Sequence, residues 1–243
     1  STVKLQKAKG RAENTKPYFD LMYETVQSIL AKSGHINHKY LKESESDKKA
    51  VIVVTANRGL AGGYNSNITR MIIDEGFTKE NTVVYAVGKK GRELLERKGY
   101  EIKADYSEAI NDPIYKDAKE ICDDVLSAFA DGEVGEIYLA YTVFKNTVVH
   151  EPQLIRLLPV EADDAAHETD GSEALMTYEP SEEEALDMII PKYVCSLVYG
   201  ALIESVASEN GARMQAMDSA TSNAEEMIST LSLKYNRARQ ASI

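Results

Sequence analysis

The sequence predicts an α/β fold: a doubly wound, mostly parallel sheet domain inserted between two long terminal helices that form an antiparallel coiled coil. Three observations predict it. Near the start, Leu5, Ala8, Ala12, Thr15, Phe19, Met22, Val26 and Ile29 step by three and four, the spacing of a heptad seam. Near the end, Met217, Thr221, Ala224, Ile228, Leu231, Tyr235 and Ala238 step in the same way. Between them, short β-branched runs alternate with helical segments, as in a parallel sheet covered on both faces.

Taken in order, the elements support three regions: an N-terminal coiled-coil helix over 1–34, a Rossmann-like α/β domain over 50–180 and a C-terminal coiled-coil helix over 181–243. Ser33-Gly34 supplies a stop for the first helix, and a polar segment follows. Ala50-Val51-Ile52-Val53-Val54 reads as a strand buried on both faces, followed by a glycine-rich turn over 57–63 and a helix over 66–75. A second unit has a strand over 82–87, a turn at Gly88 and a helix over 90–98 closed by Gly99. Residues 100–103 read as a short third strand. Pro113 opens a helix to about residue 130, and 136–142 is another strand. Lys145-Asn146-Thr147 turns it into an antiparallel edge strand over 148–160.

The acidic segment 161–173 reads as a surface loop. Helix resumes at 181 and runs to the end, with Pro191 either kinking it or starting its main part. From 191 onward it would reach about 80 Å, longer than one small domain requires. Its small residues Ala207, Gly211, Ala212, Ala216, Ala220 and Ala224 are expected to face Ala8 and Ala12. Both seams run almost to the chain ends, as though longer helices had been trimmed.

A hydrophobic content of 43% supports a packed core, and a net charge of -11 argues against a general nucleic-acid binder. The two ends are nevertheless basic, with Lys4, Lys7, Lys9 and Arg11 at one and Lys234, Arg237 and Arg239 at the other. Antiparallel pairing would bring them together as a basic tip facing an acidic partner. Cys122 and Cys195 sit on separate predicted helices and read as reduced thiols outside any disulfide framework. His35 and His38 read as solvated, and no histidine or cysteine has metal-ligand spacing. The apolar stretch over 193–203 is too short to span a bilayer, so any membrane association is expected through partners.

The turn Thr55-Ala56-Asn57-Arg58-Gly59-Leu60-Ala61-Gly62-Gly63-Tyr64-Asn65 lies between strand and helix, where doubly wound folds hold phosphates. Its glycines fit neither the dinucleotide spacing nor the P-loop, so it reads as a tight turn presenting Arg58. Gly88-Lys89-Lys90-Gly91 is a weaker version of the same feature. No nucleophile, base and orienting group can be assembled, so no catalytic, cofactor or metal site is expected. Three functional classes remain: a mechanical subunit, a coiled-coil adaptor with an α/β recognition domain, and a nucleotide-binding α/β enzyme with a helical stalk.

Three segments carry a resemblance that spans essentially the whole chain. They are the turn over 55–65, the run Ser208-Glu209-Asn210-Gly211-Ala212-Arg213-Met214-Gln215-Ala216-Met217-Asp218-Ser219-Ala220-Thr221-Ser222-Asn223-Ala224, and the run Leu233-Lys234-Tyr235-Asn236-Arg237-Ala238-Arg239-Gln240-Ala241-Ser242-Ile243. Together they resemble the gamma subunit of F-type ATP synthase, the rotor shaft of the central stalk. The resemblance implies a non-catalytic subunit of the proton-translocating complex, without a cofactor of its own, that couples c-ring rotation to the beta-subunit sites. It implies alpha, beta, epsilon and c-ring partners and a peripheral place at the cytoplasmic face of the bacterial plasma membrane, or its organellar equivalent. It also implies that Arg239 and Gln240 meet an acidic loop of beta, that Arg58 reaches a second beta contact, and that Tyr178 and Glu179 lie near the c-ring. Asn57 and Ala61 stand where the family usually has aspartate and cysteine.

Overall fold

The structure, a computed structural model, describes residues 2–32, 38–42, 46–160 and 181–241. The expected stop at Ser33-Gly34 and the acidic segment 161–173 lie outside the described residues. In chain order the elements are α1 (Thr2–Lys32), β1 (Lys49–Val54), α2 (Tyr64–Asp74), β2 (Thr82–Val87), α3 (Lys89–Arg97), β3 (Glu101–Asp105), α4 (Tyr115–Ala130), β4 (Glu136–Phe144), β5 (His150–Leu158) and α5 (Glu182–Ala241).

The continuous apolar run of β1 reflects its central place. The sheet order is β3-β2-β1-β4-β5, parallel except where β5 returns antiparallel to β4. Ala50, Ile52 and Val54 point to one face, where α1, α4 and α5 pack, while Val51 and Val53 point to the other, under α2 and α3. β2 divides in the same way, with Val83, Tyr85 and Val87 on the first face and Val84 and Ala86 on the second. A strand covered on both faces has no polar side to show, which is why its residues do not alternate in character.

The seam expected along α1 is observed. Leu5, Ala8, Val26 and Ile29 are buried and Ala12, Thr15, Phe19 and Met22 half-buried, with mostly exposed positions between them. α1 runs antiparallel to α5, as Tyr23 meets the Tyr193 ring at 6.4 Å and the Phe19 ring lies against Gly200. The register differs from the expected one. The partner of α1 is the early part of α5, rich in fully buried residues such as Leu186, Ile190, Val194, Val198 and Leu202. α5 runs unbroken through Pro191.

The later seam, Met217, Thr221, Ala224, Ile228, Leu231, Tyr235 and Ala238, is exposed throughout, rather than covered by α1. The two basic ends therefore do not form one tip. Lys234 stands 27 residues beyond Ala207, or about 40 Å along the helix.

The small residues of α5 serve the sheet domain rather than α1. Gly211 receives the ring of His150, whose Cε1 would lie 2.5 Å from a Cβ placed there. Ala212 packs on Ala56, Ala61 and Tyr64 of the glycine turn, and Ala220 and Ala224 are exposed. His38 is also not solvated. It is buried, its Nδ1 accepts from the Tyr40 N–H at 3.2 Å, and its Nε2 therefore carries the proton toward Asp187 at 3.2 Å. Sequence alone reads 33–49 as uniformly polar because Asp187 arrives from another helix.

Two outcomes follow from this packing. With Cys122 and Cys195 replaced by Ser, Phe19→Cys with Gly200→Cys should crosslink readily, whereas Ala12→Cys with Ala224→Cys should not; gel shift under mild oxidation reads both. Burial also holds the His150 imidazole below its ordinary pKa. Above the unfolded value of about 6.5 both states are neutral, and as pH falls through it the unfolded chain takes up the proton first, so stability drops. Between pH 8 and 5.5 the wild-type melting temperature should therefore fall further than that of His150→Phe. Equal losses in calorimetry would refute this.

Candidate functional site

The parallel strands all end at one edge of the sheet. From β1 the chain proceeds outward through β2 and β3, and β4 then adds on the other side of β1. The turn after β1 thus occupies the topological switch point, where open α/β sheets form crevices. Leu60 has φ 61° and is 78% exposed, and Gly62 has φ 56°, so the turn relies on left-handed backbone at two places. It is docked on α5: the buried Tyr64 hydroxyl donates to Ser205 O at 3.0 Å, and Arg213, paired with Glu209, donates to Gly59 O at 3.2 Å. Burial pushes the Tyr64 phenol well above its ordinary pKa, so it remains a donor. Arg58 is left exposed at the crest of this turn.

Asn57 ties three loops together. Its Nδ2 donates to Ser107 O at 2.7 Å and to Asn111 Oδ1 at 3.0 Å, while its Oδ1 accepts from the Lys89 N–H at 2.9 Å. Aspartate could accept from Lys89 but could not donate to the Ser107 carbonyl, so the amide has a polar role of its own here. The first turn of α3 is occupied as well. Lys90 N–H donates to Ala56 O at 3.0 Å, and Gly91 N–H donates to Thr55 Oγ1 at 2.8 Å. With Lys89 on Asn57, three amides that an anion would need at this terminus are already bonded within the protein. Gly88 and Gly91 are required by this close approach: a Cβ would lie 2.2 Å from Thr55 O at Gly88 and 2.6 Å from Thr55 Oγ1 at Gly91.

Between this edge, α1 and α5 lies a cleft of about 540 Å³. Arg11 spans it, donating to Asp112 Oδ1 at 2.7 Å and to Pro113 O. Arg58, Arg213, Asn57 and Asn210 also line it, and its lining has no histidine or cysteine. Among the described residues no group of three His, Cys, Asp or Glu side chains could hold a metal ion. The arrangement presents charge and fixes loops; it offers no nucleophile with a base beside it.

Of the residues singled out from sequence, Arg58 lies at the cleft. Arg239 and Gln240 stand at the exposed far end of α5, about 40 Å beyond Arg213, so the structure does not bring them together with Arg58. Tyr178 and Glu179 lie outside the described residues. The bonding roles of Asn57 and Arg11 escaped sequence reading because their partners come from loops 32 to 102 residues away.

Residues 1–243 match a family model described as ATP synthase. The chain is 65% identical to the ATP synthase gamma chain of Lachnoclostridium phytofermentans, over all of this chain and 86% of that one. It is 40% identical to the gamma chain of Acetobacterium woodii named as sodium ion specific, again over all of this chain and 86% of the relative. In fold it is similar to the central stalk of the Tetrahymena thermophila mitochondrial ATP synthase, with a TM-score of 0.61, 23% identity, and coverage of 90% of this chain and 98% of that one.

Replacing Asn57 by Asp removes both donors and leaves the Ser107 carbonyl without its side-chain partner. The expected cost is about 1–3 kcal/mol, seen as a lower denaturation midpoint, whereas Asn57→Asp at unchanged midpoint would show that water replaces the amide.

Proposed function

Since the chain belongs to the gamma-chain family of ATP synthase, we propose that it is the rotor of the central stalk, turned by the c-ring and driving the beta-subunit sites through their states in sequence. The observation that carries the reading is the match of the entire chain to the family, joined to a shape that suits a shaft. Half of α5 is core and the rest is bare helix: residues 217–241 are exposed over about 37 Å. A helix fixed in one part by a packed sheet and exposed in the other suits the transmission of torque rather than the enclosure of a substrate.

The contacts are those that the family resemblance implies, and the charge at the end of α5 supports the first of them. Arg239 and Gln240 meet an acidic loop of beta, at a helix end that carries Lys234, Arg237 and Arg239 and no acid from residue 234 onward. A guanidinium holds a carboxylate through two parallel hydrogen bonds, which suits a contact that must bear load. Arg58 makes a second beta contact from the crest of the stitched turn. Tyr178 and Glu179 approach the c-ring at the foot. Alpha, beta, epsilon and the c-ring are the partners, and the subunit sits at the cytoplasmic face of the membrane, attached only through them.

A nucleotide-binding enzyme is disfavoured by the amides of α3, which are already engaged by Asn57, Ala56 and Thr55. An adaptor outside the synthase is separated by assembly: the full chain should co-purify with alpha and beta.

Complexes reassembled with Arg239→Ala and Gln240→Ala should assemble normally yet lose ATP synthesis and hydrolysis, since truncating one partner of a desolvated pair costs about 2–5 kcal/mol. Wild-type rates in such complexes would remove the contact assignment. Failure to co-purify with alpha and beta would remove the rotor reading itself.

A further inference from the structure

The first amides of α3 are engaged within the protein, whereas the start of α2 is open. Gly63 holds its N-cap position, no side chain caps the helix, and no acid lies in its first turn. The backbone changes hand there, from φ 56° at Gly62 to φ -80° at Gly63. Such a change turns successive N–H groups toward one side, the concave form that takes anions. Tyr64 N–H is taken by Ala61 O at 3.1 Å, but neither the Gly62 nor the Gly63 N–H donates to a backbone carbonyl among the described residues.

A pocket of about 290 Å³ opens over this terminus, between α2, the β4–β5 pair and α5. Gly62, Gly63 and Asn67 line it on one side and Gln215 and Ser219 of α5 on the other. Among the described residues its lining contains no Asp, Glu, Lys or Arg. Asn67 folds back over the cap, since a Cβ at Gly63 would lie 3.1 Å from both its Nδ2 and its Oδ1. The mouth thus offers neutral donors and no carboxylate that would repel an anion.

The floor supplies an independent observation. Thr142 of β4 lines the pocket, is 3% exposed, and its Oγ1 has no hydrogen-bond partner among the described residues. The Tyr64 hydroxyl beside it donates to Ser205 O at 3.0 Å and is not in hydrogen-bonding geometry with it. Thr142 lies opposite Pro152, two residues beyond the buried Ala140, where valine would fill the sheet as well without a hydroxyl to satisfy. Buried hydroxyls in native folds have partners as a rule. This one faces the pocket.

We propose that the pocket is a phosphate site, in which the first-turn amides of α2, the Asn67 amide and the Thr142 hydroxyl hold the oxygens of a phosphate group, free or as a small ester. The positive end of the helix attracts the anion, and N–H and O–H donors bond its oxygens. The bound group bridges α2 and β4 and, through Gln215 and Ser219, reaches α5 where its exposed part begins. It therefore stiffens the joint between the sheet and the long helix. The site stands apart from the rotor reading and is tested on the chain alone.

The test titrates the full chain with inorganic phosphate at constant ionic strength set by chloride, reading backbone amide shifts by NMR. The expected result is saturable shifts centred on Gly62, Gly63 and Thr142. Thr142→Val should weaken binding about tenfold, the loss of one hydrogen bond to a charged group, while its melting temperature in chloride stays equal or rises. Asn67→Asp should abolish binding yet keep α2 folded, because an acid near a helix start is favourable. Glycerol phosphate binding more tightly than phosphate assigns the site to an ester, and weaker binding assigns it to the free ion. Shifts that grow linearly with phosphate and persist in both variants would overturn the proposal. A lower melting temperature of Thr142→Val in chloride would overturn it too, since the hydroxyl would then serve packing.

Discussion

Burial of the first half of α5 against one face of the sheet is the constraint on which the rest depends. Leu186, Ile190, Val194, Val198 and Leu202 are fully buried, each contributing about 1.5–3 kcal/mol relative to exposure. They meet Ile52, Val54, Ile137 and Leu139 of the sheet, the face of α4, and Val26 and Ile29 of α1 in one continuous core. Because a helix is stiff along its axis, fixing this half also sets the direction of the exposed half. α1 adds to the brace by filling the groove beside it, with Phe19 against Gly200, where a larger residue on α5 would collide. The same helix is therefore core at one end and lever at the other.

The second constraint is polar and lies at the carboxyl edge of the strands. Thr55 and Asn57 bind the loops after β1, β2 and β3 into one unit, and Tyr64 and Arg213 bind that unit to α5. These bonds use the groups that doubly wound folds elsewhere offer to a phosphate. Closing them with side chains converts a ligand site into a rigid joint between sheet and shaft. Arg58 thus stands on a joint whose members come from three loops and a helix.

The strands, most of the helices and the seam of α1 were legible in the sequence because local pattern governs them. Buried strands must be apolar throughout, and a helix with one covered face must repeat every three or four residues. The segments 208–224 and 233–243 also carried the family resemblance that the comparisons bear out. Arg58 at the crest of its turn was legible for the same local reason, since glycines at 59, 62 and 63 announce a tight turn.

What only the tertiary structure decided was which pattern meets which. The seams of α1 and of residues 217–238 have the same period, yet α1 packs on an earlier stretch of α5, because that stretch must also cover the sheet and α1 follows it there. Period fixes a face and carries no information about register. Nor could spacing reveal that Gly211 makes room for His150, that His38 is buried against Asp187, or that Asn57 holds Ser107, Asn111 and Lys89. A hydrogen bond or a steric fit is settled by distance in space, and these partners are brought together only once the sheet has formed.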